Sequence, residues 1–154
     1  RRQRQMCIRD SAYTAKTYPH GEGDAIDGVS VARAVGLEPE MVFKTLVCKG
    51  ASRGYYVFDI PVAENLDLKK AARAVGEKSV AMLPQKELLP LTGYVHGGCS
   101  PVGMKKQFPT VFHETAESLP QVAVSAGKIG YQVVCDPKDL MALLRAGTAD
   151  LIVE

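Results

Sequence analysis

Every apolar stretch of this chain is cut short by a glycine or a proline. With 14 glycines and 9 prolines among 154 residues, the candidate strands are short and the candidate helices little longer. No regular strand–helix–strand alternation emerges, which argues against a doubly wound parallel sheet. Many short strands with scattered helices predict an α+β fold with a mixed, partly closed β-sheet.

Ala12 to Tyr18, rich in Thr and Tyr, reads as a first strand ended by Pro19, and Pro19 to Gly28 reads as a loop. Asp27 is placed to cap a short helix over Gly28 to Val35, with Val31, Ala34 and Val35 on one face and Gly36 as its stop. Pro39 opens a turn. Val42 to Cys48 and Tyr55 to Ile60 are apolar segments flanking a turn at Ala51 to Gly54, which predicts an antiparallel pair. Asp67 caps the next helix, where Leu68, Ala71, Ala72 and Val75 form one apolar stripe and Gly76 is the stop. Ser79 to Leu83 reads as a strand. Pro84 opens a helix to about Leu89, which Pro90 is expected to end. Short strands follow at Thr110 to His113, Val122 to Val124 and Tyr131 to Val134. Asp136-Pro137 starts a last helix, with Leu140, Met141, Leu143 and Leu144 inward and Gly147 closing it.

This length allows one domain with a core of its own, taken as residues 12–154. Arg1 to Ser11 has no initiating Met and resembles a translated adapter peptide. It is expected to be a non-native segment, a real basic arm being the alternative. The net charge of +2 does not mark a nucleic-acid binder. The pairs Lys69-Lys70 and Lys105-Lys106 fit either a small electropositive face or two solvated surfaces. No apolar run is long enough to span a bilayer and no signal-peptide pattern opens the chain, so a cytoplasmic protein with no membrane partner is expected. Cys7, Cys48, Cys99 and Cys135 are scattered, as are His20, His96 and His113. That spacing predicts neither a disulfide framework nor a metal site.

Two features remain. Gly97-Gly98-Cys99-Ser100-Pro101-Val102-Gly103 packs three glycines and a proline into seven residues and precedes Met104-Lys105-Lys106. Gly98 and Gly103 have the spacing of a phosphate-binding loop, but Met104 stands where its lysine is required, so nucleotide hydrolysis is excluded. A loop of this composition either presents converging backbone N–H groups to an oxygen or simply connects two strands tightly. The other feature is Lys44, a charge within an apolar strand. It either faces a cavity or snorkels from an edge strand to water. No Ser-His-Asp or Cys-His pattern is present. Cys48 fits a buried structural thiol, and nothing near Cys99 in sequence marks a base.

Val42-Phe43-Lys44-Thr45-Leu46, Leu66-Asp67-Leu68-Lys69-Lys70-Ala71-Ala72, Thr92-Gly93-Tyr94 leading into Gly97 to Lys106, and Val124-Ser125-Ala126-Gly127-Lys128 occur in that order. From about Ala12 onward the chain resembles the YbaK/EbsC family of aminoacyl-tRNA editing domains, nearest its Cys-tRNA(Pro) deacylases. The resemblance implies a mixed, partly barrel-like sheet surrounded by helices. It implies a trans-acting deacylase that removes Cys mischarged onto tRNA(Pro), because a small amino acid fits a proline pocket too well to be excluded by binding alone. Aminoacyl-tRNA, held by its 3′ acyl-adenosine end, and prolyl-tRNA synthetase are the implied partners, with no cofactor and no metal. Removal of Ala or another small amino acid, or a non-catalytic aminoacyl-tRNA-binding module, are the alternatives.

Carried over by position, the resemblance implies that Lys44 is the catalytic lysine. It implies that Tyr18, Thr45, Gly97, Gly98, Cys99, Ser100, Pro101, Gly103, Ser125 and Gly127 bind substrate. It also implies that the substrate's own thiol attacks its carbonyl and leaves as a thiolactone, Cys99 being a pocket wall. Gln132 departs from an acidic residue found in some members, and the family's opening helix is replaced by Arg1 to Ser11. A thiol enzyme using Cys99 is a further, weaker reading.

Overall fold

The computed structural model describes residues 13–18 and 27–154. The expectations for Arg1 to Ser11, for Ala12 and for the loop from Pro19 to residue 26 lie outside the described residues. Along the chain run β1 (Tyr13–Thr17), α1 (Gly28–Ala34), β2 (Phe43–Gly50), β3 (Tyr55–Pro61), α2 (Leu68–Val75), β4 (Val80–Met82), α3 (Gln85–Thr92), β5 (Thr110–His113), β6 (Val122–Ser125), β7 (Tyr131–Cys135), α4 (Pro137–Leu144) and β8 (Gly147–Ala149).

Two sheets carry the architecture. The larger has the order β4-β2-β3-β5-β8 and the smaller β1-β7-β6. β2 pairs antiparallel with β3 through the expected turn, whereas β3–β5 and β5–β8 are parallel, so the larger sheet is mixed as expected. The sheets meet at one bridge, Val42 to Ala123. This arrangement is partly closed, and among the described strands no closed barrel forms.

Alternation along β2 and β3 sorts their side chains onto two faces. Cys48, Phe58 and Ile60 pack with Ala71 and Ala72 of α2. Val47 and Val57 pack on the opposite face with Tyr94, Cys99, Met104 and Phe108 from the connection after α3. A third cluster joins Phe43 and Phe112 to β6, β7 and α4.

The caps follow the sequence. Asp27, Asp67 and Asp136 accept first-turn amide hydrogen bonds, and Gly76 closes α2 in the left-handed conformation. Such caps contribute about 1 kcal/mol each. Side-chain placement differs in places. In α1 Ala32 is buried and Ala34 exposed, because Ala32 packs against Val42, Ala123 and Val134 while Val31 and the C-cap Val35 pack against Tyr18. Leu68 and Leu143, expected inward, are exposed at the rims of their helices.

Two boundaries differ. Pro90 does not end α3, which continues to Thr92. The Thr92 hydroxyl donates to the Leu88 carbonyl at 2.7 Å and the Gly93 amide to Leu89 at 2.9 Å, so the last turn is satisfied while Leu88 and Leu91 pack inward. Gly147 does not close α4. Arg145 does so with φ of 53°, and Gly147 starts β8 beside β5.

Candidate active site

β2 has an uneven edge, and the site grows from it. β3 pairs with it throughout, but β4 pairs only from Cys48 to Gly50, and β6 forms a bridge only at Val42, just before β2. The edge between lies open. The Val47 carbonyl accepts the Leu83 amide on this side, and the Val42 carbonyl accepts the Val62 amide on the β3 side. Because N–H and C=O groups alternate in direction along an antiparallel strand, the N–H of Thr45 faces the open edge.

A cavity of about 210 Å³ borders that edge. This volume can hold an aminoacyl group. Its lining brings together Tyr18 at the end of β1, Lys44 and Thr45 in β2, Gly97 and Cys99 from the glycine loop, and Ser125 from β6. Of the residues that the sequence singled out, these six meet around one space. Gly98, Ser100, Pro101, Gly103 and Gly127 do not border it; each shapes its walls from behind.

The loop geometry explains why. A Cβ on Gly98 would meet the backbone of Lys128 and Ile129 within 3.0 to 3.3 Å, so only glycine lets the two loops touch. Gly98 N–H donates to Val95 at 3.0 Å and is committed within the loop. Ser100 is buried, and its Oγ accepts from the Val102 amide at 3.2 Å. Pro101 is fully buried, and Gly103 turns the chain at φ of 75°. Tyr94 Oη donates to the Val102 carbonyl at 2.5 Å and buttresses the loop. Gly127 has φ of 98° and leaves room for the Tyr94 ring, while its amide donates to Ser125 Oγ at 3.2 Å. The glycine segment is a tight connection that also walls the cavity at Gly97 and Cys99, with the Gly98 and Val102 amides spent inside the loop.

Lys44 is half-buried. Among the described residues no carboxylate lies within ion-pair distance of its ammonium. Burial holds its pKa below the usual lysine value, and the charge of Glu64 partly offsets this. Lys44 borders the cavity and stays partly exposed at the open edge of β2. The cysteines are the opposite case. Burial pushes the Cys48 thiol up to about 12. Cys99 also reaches about 12, first through burial and then through the charge of Asp59. A thiol held there is un-ionised at neutral pH and is a poor nucleophile.

Sequence reasoning missed Asp59. It lies directly across from Thr45 in the β2–β3 register and is fully buried. Its Oδ1 accepts the Thr45 hydroxyl at 2.5 Å, and its Oδ2 has no partner. Burial lifts its pKa to about 7, against the opposing Thr45 bond. The signal was present, since Asp59 is the one polar residue of the run Tyr55 to Ile60. Gln132 lines the cavity, and its Oε1 is buried without a donor. Asp27, Val31, Val62 and Leu88 complete walls that no local pattern indicated.

Similarity to known proteins agrees with this geometry. A family model for the aminoacyl-tRNA editing domain matches residues 24–143. An Enterococcus faecalis protein provisionally named Cys-tRNA(Pro)/Cys-tRNA(Cys) deacylase EbsC is 45% identical over 128 residues, covering 83% of this chain and 78% of the relative. A solved structure provisionally described as a trans-editing enzyme for prolyl tRNA synthetase is 29% identical, with a TM-score of 0.85 over 99% of this chain and 96% of its own. A further structure at 20% identity has a TM-score of 0.85 over 98% of each chain and shows the fold alone. The open-edged mixed sheet, the match across most of the sequence and a relative of this identity lead to one conclusion: the chain belongs to the aminoacyl-tRNA editing domain family.

Proposed function

We propose that this chain is a trans-acting aminoacyl-tRNA deacylase that removes Cys from Cys-tRNA(Pro), working in the cytoplasm where tRNA is charged. The observation that carries the reading is the Lys44 ammonium, partly desolvated and without an ion-pair partner among the described residues, at the border of a cavity that can hold an aminoacyl group. A cation so placed stabilises charge developing on an ester oxygen more strongly than it would in water. The Thr45 N–H on the open edge adds a fixed donor. Tyr18, Gly97 and Ser125 enclose the acyl group, and Gly98, Ser100, Pro101, Gly103 and Gly127 hold those walls in place.

The reaction needs no nucleophile from the protein. The substrate thiol attacks its own ester carbonyl: a C–S bond forms, the bond to the ribose 3′ oxygen breaks, and the thiol proton ends on that oxygen. A thiolactone and a free tRNA end leave. The cavity acts by holding thiol and carbonyl together. Cys99, its pKa pushed up to about 12, is a wall. Cys99→Ala accordingly keeps kcat/KM for Cys-tRNA(Pro) within about threefold of wild type, whereas S-methylcysteinyl-tRNA(Pro) is not turned over. Turnover of the blocked ester at a rate similar to that of the free thiol would refute the substrate-thiol route, and a dead Cys99→Ala enzyme would restore that cysteine as nucleophile.

With a net charge of +2, the chain has little to release counterions from a long phosphate track. Prolyl-tRNA synthetase is therefore proposed as the partner that supplies the tRNA grip. In a salt titration, binding of tRNA(Pro) to the chain alone is weak at physiological ionic strength and is strengthened by the synthetase. Tight binding without the synthetase would contradict this partnership.

A further inference from the structure

Asp59 is the least expected group near the cavity. A fully buried carboxylate with one hydrogen bond and one bare oxygen is costly in a protein interior. It lies behind two cavity residues. Thr45 bonds to it directly, and Cys99 feels its charge. No described cation pairs with Asp59, so when ionised its charge is not compensated by an ion pair among the described residues.

The direction of the Thr45 bond matters. An ionised carboxylate only accepts, so Thr45 must spend its single O–H on Asp59. The remaining lone pairs of Thr45 Oγ1 are then acceptors, and the half-buried Thr45 borders the cavity. A second bare acceptor, Gln132 Oε1, lines the same space. These two acceptors suit a ligand part that brings N–H groups and positive charge, while the Lys44 ammonium and the Thr45 N–H serve the ligand's oxygens.

Resting on the deacylase reading, we infer that Asp59 is a positioning residue: it fixes the Thr45 oxygen as an acceptor, backed by negative charge, for the α-ammonium group of the bound aminoacyl ester. Lys44 then meets the ester end and Thr45 the amino end, which orients the acyl group between them. A bound ammonium in turn favours the ionised carboxylate, so ligand and charge stabilise each other.

The test compares cysteinyl-tRNA(Pro) with 3-mercaptopropionyl-tRNA(Pro), which keeps thiol and ester but lacks the amine. Asp59→Val raises KM for the cysteinyl ester roughly tenfold with kcat little changed, and leaves KM for the deaminated ester unaltered. Thr45→Val has the same selective effect, and the double variant is no worse than either single one. Should Asp59→Val not fold, Asp59→Asn serves the same comparison, since it removes the charge at nearly constant volume. An equal loss on both esters, or none on the cysteinyl ester, would overturn the inference. Binding of 3′-cysteinylamino-3′-deoxyadenosine and its deaminated counterpart, measured by calorimetry, separates the two levels. A wild-type protein that turns over neither ester, yet binds the aminated analogue about tenfold tighter in an Asp59-dependent way, refutes the deacylase and keeps the ammonium site. Equal binding of the two analogues refutes the site.

Discussion

Lys44→Ala lowers kcat/KM for Cys-tRNA(Pro) by about 10²- to 10³-fold, the range for removing one preorganised group that stabilises transition-state charge. The loss falls mainly on kcat, because the charge on the ester oxygen grows only as the C–O bond breaks. Stability gives the control. The ammonium is half-buried and makes no ion pair with a described residue, so its removal relieves desolvation and breaks no contact of that kind. Thermal unfolding of Lys44→Ala therefore stays at or slightly above wild type. A variant that unfolds early would owe its inactivity to structure, and one with wild-type turnover would remove Lys44 from the mechanism. The pH profile carries the same sign. Activity that depends on a charged lysine falls as pH rises through its pKa, which here lies below the usual lysine value.

Asp59→Val raises the melting temperature at pH 8 by roughly 5 to 10 °C and has far less effect at pH 4. The folded state binds the Asp59 proton more tightly than the unfolded chain, with a pKa of about 7 against an ordinary 3.8. Folding therefore takes up a proton between those values. Stability falls as pH climbs from about 4 to about 7, and the full penalty persists above. The gap corresponds to about 4 kcal/mol, from which the lost Thr45 hydrogen bond subtracts about 1 kcal/mol. Urea unfolding at several pH values checks this: the wild-type slope across that window disappears in the variant. A variant that is less stable at pH 8 would mean that the carboxylate is better compensated than its bare Oδ2 implies. Together with the tenfold weaker binding expected of the same substitution, this makes Asp59 a site where stability is given up for recognition.

The sequence reveals the local structure better than the site. Asp67 with Gly76, and Asp136 with Pro137, mark helix ends because caps act within one turn. The β2–β3 pair is legible from two apolar runs and a four-residue turn. Pro90 misleads because tertiary packing of Leu88 and Leu91, with the Thr92 hydroxyl bonded to Leu88, outweighs the proline's lost amide. β8 is invisible because Gly147-Thr148-Ala149 has no apolar pattern, and only pairing with β5 makes it a strand.

Lys44 and the glycine loop each stand out in the sequence, yet nothing local says that they share a cavity. That follows from the short β4, which leaves the β2 edge open, and from Gly98 lying against Lys128 and Ile129. Both are long-range facts, and only the family resemblance joined the two motifs beforehand. Asp59 was hidden by its neighbours: a run that is mostly aromatic and aliphatic predicts a strand whether or not one member is an acid. Its meaning depends on Thr45 across the ladder, a register that sequence does not print.

The most direct measurement is turnover of a panel of tRNA(Pro) species carrying Cys, Ala or Pro, with the purified chain and no synthetase. The account predicts release of Cys with thiolactone as the first product, slow release of Ala, which lacks the attacking thiol, and an intact Pro ester. Failure to release Cys, or loss of Pro as fast as Cys, would contradict it.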